Sequence, residues 1–197
     1  MVDFKLTADG KIDMNSVNIE LAEKDDPETC KKVENFCAYL GAYQSSLSIP
    51  DTVVDDLNTL AAEIGKAAMD YGYMEGTKDA GKALVAMMQG RTADPCSVDI
   101  LDVSLGEEGL LIIPREVRMQ CEPLVNAANA LTEALNDLPI SIGNKNAIAM
   151  LAADLMAQAE QEGVKNGVDA YTDFTHDMTP EKFAELEKSV KGGSMPS

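Results

Sequence analysis

Nucleophilic catalysis and most metal centres draw on histidine and cysteine, and this chain holds one of the first and four of the second. His176 lies in the string Asp173-Phe174-Thr175-His176-Asp177, where carboxylates flank a single imidazole. Zinc and di-iron centres need further imidazole or thiolate ligands at fixed spacing, so the string reads as the polar end of a helix. A Ser–His–Asp or Cys–His arrangement needs a histidine set among the structural elements, and this one falls near the C-terminus. Cys30, Cys37, Cys96 and Cys121 form no CxxC pair, which fits reduced thiols in a cytoplasmic protein. Cys30 and Cys121 read as buried apolar thiols one turn into a helix. Neither GxxxxGK[ST] nor a strand-to-helix GxGxxG is present to cradle a phosphate. Glu107 and Glu108 fall on a predicted turn and read as solvated. The expectation is a protein that is not an enzyme, with no catalytic residue, no metal and no cofactor.

The residues that ask for an explanation are glycines. Ala68, Gly72, Gly76 and Ala80 stand four apart, and Ala159, Gly163 and Gly167 repeat the spacing. Four-residue steps keep them on one helical face. Each glycine inside a helix costs about 1 kcal/mol relative to alanine, so the four together cost on the order of 4 kcal/mol. Small residues at such spacing let a second backbone come close, as between membrane helices. Ala68, Gly72, Gly76, Gly163 and Gly167 are therefore candidates for a crossing of two helices near a pseudo-two-fold axis. The alternative is a groove that admits a ligand or a partner segment.

The elements that carry these glycines come in two similar sets. Sliding the chain by 91 residues matches 30–76 to 121–167 with 11 identities in 47 positions and no gap. Cys30 meets Cys121, Asn35 meets Asn126, Leu40 meets Leu131, and Leu60-Ala61-Ala62 meets Leu151-Ala152-Ala153. Gly72 and Gly76 meet Gly163 and Gly167. The same offset lays 11–21 on 102–112, where apolar residues alternate on both sides of polar turn residues, the pattern of a hairpin. The expected turns are near 15–18 and at 106–109. Phe4 and Leu6 before Asp9-Gly10 suggest an additional strand. Val98 and Ile100 suggest a longer first strand in the second set.

Two helices follow each hairpin, at 27–46 and about 50–89, then at about 114–136 and 143–173. Asp26-Pro27-Glu28 reads as N-cap, first-turn proline and first-turn acid. Leu57, Leu60, Ile64 and Ala68 keep helical apolar spacing. The long helix is expected to break near Gly72 or Gly81. The fold class is thus α+β and mainly helical, a tandem duplication of a ββαα unit forming a pseudo-two-fold single-chain dimer. Copy one is 1–91, copy two 92–179, and 180–197 a short helix and flexible tail. Units this small bury little surface alone, so the copies are expected to share one core.

Charge bounds the partners. The formal net charge is −18, from 34 acids and 16 bases. Direct binding to nucleic acid or anionic lipid needs clustered Lys and Arg. No apolar run reaches the ~18 residues of a membrane span, and the first residues lack the pattern of a signal peptide. The 11 methionines against an aromatic content of 5% suit a core or contact surface that adapts its shape.

The string Gly109-Leu110-Leu111-Ile112-Ile113-Pro114-Arg115-Glu116-Val117-Arg118 resembles the strand–Pro–basic–Glu–aliphatic–Arg stretch of swapped-hairpin transition-state regulators and antitoxins. The resemblance covers ten residues. The equivalent stretch of the first set, residues 18–32, lacks it, the glycine that should follow is missing, and the acidic balance opposes the DNA binding it implies.

The expected function is a non-enzymatic, acidic protein-interaction module. The favoured form is an inhibitor or adaptor that mimics nucleic acid and masks a basic nucleic-acid-binding partner, as phage or mobile-element anti-defence proteins do. One alternative is a small-molecule-binding protein or enzyme with its site between the repeats, at the glycine stripe. Another is a structural component of an assembly.

Overall fold

The computed structural model describes residues 2–6, 12–19, 27–88, 101–106 and 110–176. Its elements are β1 (Val2–Leu6), β2 (Ile12–Ile19), α1 (Pro27–Leu47), α2 (Asp51–Met88), β3 (Ser104–Leu105), β4 (Leu111–Ile112), α3 (Arg115–Arg118), α4 (Glu122–Asn136) and α5 (Ile142–His176). The architecture is mainly helical, with two small antiparallel two-stranded sheets, β1–β2 and β3–β4. The expected joining loop at 90–95, the strand at Val98 and Ile100, and the helix at 180–190 with its tail lie outside the described residues.

α2 and α5 are the frame. At 1.5 Å per residue they are roughly 57 and 52 Å long, and they pack on each other along their length. α1 lies against both, and α4 lies mainly against α2. Their apolar stripes form one core, with Phe36, Leu40, Leu57, Ile64, Leu124, Leu131, Ile148 and Leu155 fully buried.

Local sequence explains the ends. Pro27 opens α1 with Glu28 in its first turn, where a missing N–H costs nothing and an acid meets the positive end of the helix dipole. α1 closes at Ser48, which sits at φ 56°. The Ile49 N–H then reaches back to the Gln44 carbonyl (3.3 Å), the bond that satisfies a helix end through a left-handed residue. The offset partner of Ser48 is Pro139, whose φ is fixed negative, so the second turn is built otherwise. There Ser141 opens α5, and its Oγ accepts the Asn144 N–H at 3.3 Å.

Three expectations fail. The helix expected over 114–136 is broken at 119–121 into α3 and α4. Pro123, the second residue of α4, has no N–H for the Met119 carbonyl, and its ring pushes the preceding turn out of helix. One offset earlier stands Lys32, and α1 is continuous. Nor does α2 break at Gly72 or Gly81; the facing helix packs on it there.

The third concerns the first hairpin. Residues 15–18 lie inside β2 rather than in a turn. β1 covers Phe4 and Leu6, and β2 pairs with it through Val2↔Ile19, Asp3↔Asn18, Lys5↔Asp13 and Leu6↔Ile12. The register slips between Asp3 and Lys5, where residues 14–17 of β2 stand against the single residue Phe4 of β1. Asn15-Ser16-Val17-Asn18 has no glycine to reverse the chain, whereas Asp9-Gly10 stands between the strands. The second hairpin pairs Ser104↔Ile112 and Leu105↔Leu111, and the Gly106 N–H donates to the Leu110 carbonyl at 2.8 Å. The two hairpins therefore do not correspond under the 91-residue offset, though the long helices do.

Candidate functional site

The glycine stripe is the place where α2 and α5 touch backbone to backbone. A Cβ on Gly72 would run into the Glu160 carbonyl oxygen, with the carbonyl carbon 2.8 Å away. On Gly76 it would meet the Val164 carbonyl, on Gly163 the Met69 carbonyl, and on Gly167 the Tyr73 carbonyl. These contacts are reciprocal. Gly72 and Gly163 are 91 residues apart, and so are their partners Met69 and Glu160; Gly76 with Gly167 and Tyr73 with Val164 repeat the relation. Thr77 adds a polar tie: its Oγ1 donates to the Tyr73 carbonyl at 2.8 Å and lies 3.5 Å from the Gly167 carbonyl. Ala68 is fully buried beside the stripe. The crossing has no room for a ligand.

A buried acid stands at this crossing. Glu160 is 1% exposed, its Oε2 accepts the Leu101 N–H at 3.3 Å, and Oε1 has no hydrogen-bond partner among the described residues. Burial pushes its carboxyl above the usual range, opposed by the Leu101 bond and reinforced by Glu75. Close by, Tyr71 is pushed up to about 12, first by burial and then by Glu75, Glu160, Cys121 and Glu116. Sequence reading missed Glu160. The signal was present, since Ala152, Met156 and Glu160 stand four apart on the apolar face of α5.

The cysteines divide. Cys30 and Cys37 are half-buried and Cys121 is buried, and none of the three is in a disulfide. Cys121 is not one turn into a helix; it is the residue before α4. Burial raises both the Cys37 and Cys121 thiols. Cys96 lies outside the described residues. His176 is exposed and is the last residue of α5.

Between α2 and α4 the surface opens into a cleft of ≈ 520 Å³. Ala67, Pro123, Ala127 and Ala130 form its apolar part. Glu63, Lys66, Asp70 and Asn126 supply the polar groups. Asp70 Oδ1 is buried and has no hydrogen-bond partner among the described residues. Burial raises the Asp70 carboxyl to about 6, against the opposing charge of Lys66. Asp56, Glu63 and Asp70 are spaced by seven and share one face of α2. Glu122 and Glu133, eleven apart, share a face of α4 and are exposed, as are Asp56 and Glu63. Two rows of carboxylates thus run on the two helices that flank the cleft.

Among the described residues, no helix is long and apolar enough to cross a membrane. No protein-family model, curated protein or solved structure matches the chain.

Proposed function

We propose that the chain is a non-enzymatic interaction protein that presents its acidic surface to a basic partner, as an inhibitor or adaptor that masks a nucleic-acid-binding surface. Phage and mobile-element anti-defence proteins are the class this reading fits. The observation that carries it is the pair of carboxylate rows on α2 and α4, in a chain whose formal net charge is −18. A rigid helical frame holds such rows at fixed spacing, and complementary charge steers and orients association. The reading includes a tandem duplication of one unit into a single-chain pseudo-dimer, supported by the reciprocal glycine contacts under the 91-residue offset.

The test is capture of partners from host lysate by the parent and by the triple variant Asp56→Lys, Glu63→Lys, Glu133→Lys, at low and high salt. A basic nucleic-acid-binding protein is expected with the parent at low salt, lost on both changes. Capture that ignores the triple variant overturns the assignment of this face.

A further inference from the structure

The cleft between α2 and α4 has a counterpart on the other side of the molecule, and the two are filled differently. Under the 91-residue offset, Pro123, Ala127 and Ala130 correspond to Lys32, Phe36 and Tyr39 on α1. Phe36 is fully buried and Tyr39 packs against the core. The Lys32 ammonium lies 4.0 Å from the carboxylate of Asp154 on α5, and Asp154 is the offset partner of Glu63. On the α1 side, then, the chain supplies its own aromatic bulk and its own cation beside an acid. On the α4 side three small or cyclic residues leave ≈ 520 Å³ open. The acid is kept as Glu63, and a second one, Asp70, stands where the offset partner is the exposed Gln161.

We propose that the α2–α4 cleft is a binding site for a small organic cation, an alkylammonium group carried on an apolar, aromatic-sized body. The volume lies within the roughly 300–1,000 Å³ of ordinary ligand pockets, and an apolar lining with a few placed polar groups is their usual make-up. Asp70 Oδ1, buried and without a hydrogen-bond donor among the described residues, is the acceptor that fixes the ammonium, with Lys66 acting on the carboxylate by charge alone. A buried acceptor left unpaired is costly, and a charged donor forms the stronger kind of hydrogen bond. Glu63 adds a carboxylate, and Ala127 and Ala130 give the ring the room that Phe36 and Tyr39 take for themselves on the other side. The inference does not depend on the masking function proposed above, because it concerns a free small molecule and not a protein partner.

The experiment is an amide-resolved NMR titration of the full chain at 150 mM salt with 2-phenylethylamine as probe. Its neutral analogue 2-phenylethanol and the ring-less diamine putrescine serve as comparisons. Saturable one-to-one binding is expected, with shifts confined to residues 63–70 and 122–130. The alcohol and putrescine should each bind roughly tenfold more weakly or worse, the loss of one charge-assisted bond or of the buried ring. Asp70→Asn should weaken the amine to about the level of the alcohol, and Ala127→Phe should abolish binding by filling the cleft. If Ala127→Phe does not fold, Pro123→Lys, which sets a second chain cation beside Lys66 in the cleft as Lys32 stands beside Asp154 on the other side, gives the same reading. Shifts spread over the acidic surface, equal affinity for amine and alcohol, or binding that survives both Asp70→Asn and cleft filling would each overturn the proposal.

Discussion

Where α1 lies on α5, the contact is core; where α4 lies on α2, it is partly open. The helices stand in the same relation to the crossing, yet Phe36 is fully buried on one side and its offset partner Ala127 lines a cleft on the other. The difference shows that the frame does not need both contacts filled. The backbone crossing of α2 and α5 holds the long helices together, and α1 and α4 both complete the core, Leu124 and Leu131 of α4 being as buried as Phe36 and Leu40 of α1. The α4 side is then free to carry a carboxylate as poorly placed for stability as Asp70. Groups that a folding argument would remove are the ones that suggest chemistry.

The largest effect that should separate the two contacts comes from truncating their equivalent positions. Phe36→Ala empties a filled site and should cost about 4 kcal/mol in urea unfolding. Ala127→Gly removes one methyl from the wall of an open cleft and should cost about 1 kcal/mol, chiefly helix propensity. Equal losses at the two sites would erase the distinction between filled and open contacts.

Next in size is the crossing. Gly163→Leu puts a side chain where the Met69 carbonyl and the Tyr73 nitrogen already stand, the latter 2.8 Å from a Cβ. Backbone on a packed helix cannot give way as a side-chain end can. A cost of about 3 kcal/mol is expected, a fall in Tm of roughly 10 °C for a chain of this size. Gly72→Leu should match it, because the contacts are reciprocal. A parent-like melt for either variant would refute close packing at the stripe.

The crossing was legible in the sequence and the cleft was not. Glycines four apart inside a strong apolar helical pattern have a price, and close helix approach is the common reason to meet it. The long helices were equally plain from Leu57, Ile64, Ile148 and Leu155. The cleft is hidden because Ala127 and Ala130 read as ordinary helix formers, and only the pairing with Phe36 and Tyr39 reveals missing volume. Pro123 is visible as a proline, but the offset partner in the continuous α1 is Lys32, so the comparison of the two sets gives no sign of a break. The turn placed at 15–18 came from carrying one hairpin's alternation onto the other, although Asp9-Gly10 was the stronger turn signal. Glu160 is a lone acid on an apolar face, and nothing in its neighbours announces the Leu101 N–H that it holds.

Asp70 should give a smaller effect, and of opposite sign. Its carboxyl sits at about 6 in the folded chain against an ordinary 3.8, mainly because burial disfavours the charge. The folded state therefore holds the proton more tightly than the unfolded state. Stability linked to Asp70 is complete below about pH 4 and is lost as pH rises through about 6. Asp70→Asn should stabilise the protein near pH 7.5 by on the order of 1–2 kcal/mol, the shift being discounted for a partly open cleft. At pH 4 the variant should be close to neutral. Glu160, raised in the same direction, keeps some slope in the variant. Urea midpoints from pH 4 to 7.5 that run parallel for parent and variant would show that Asp70 is solvated.

The smallest effect tests whether every helical glycine here serves the crossing. Gly41 lies inside α1, and a Cβ built on it meets nothing within 4 Å among the described residues. Its offset partner is Thr132, which is buried and hydrogen-bonded, its Oγ1 donating to the Ala128 carbonyl at 3.0 Å. Among the described residues the α1 position thus has no contact that a side chain would disturb and no close backbone that requires its absence. Gly41→Ala should then return most of the helix-propensity difference, about 0.5–1 kcal/mol of added stability. The gain should appear as a higher urea midpoint with an unchanged slope, the mark of altered stability without altered compactness. A loss instead would mean that α1 approaches another backbone at Gly41, and the contrast between its open face and the α2–α5 crossing would fail there.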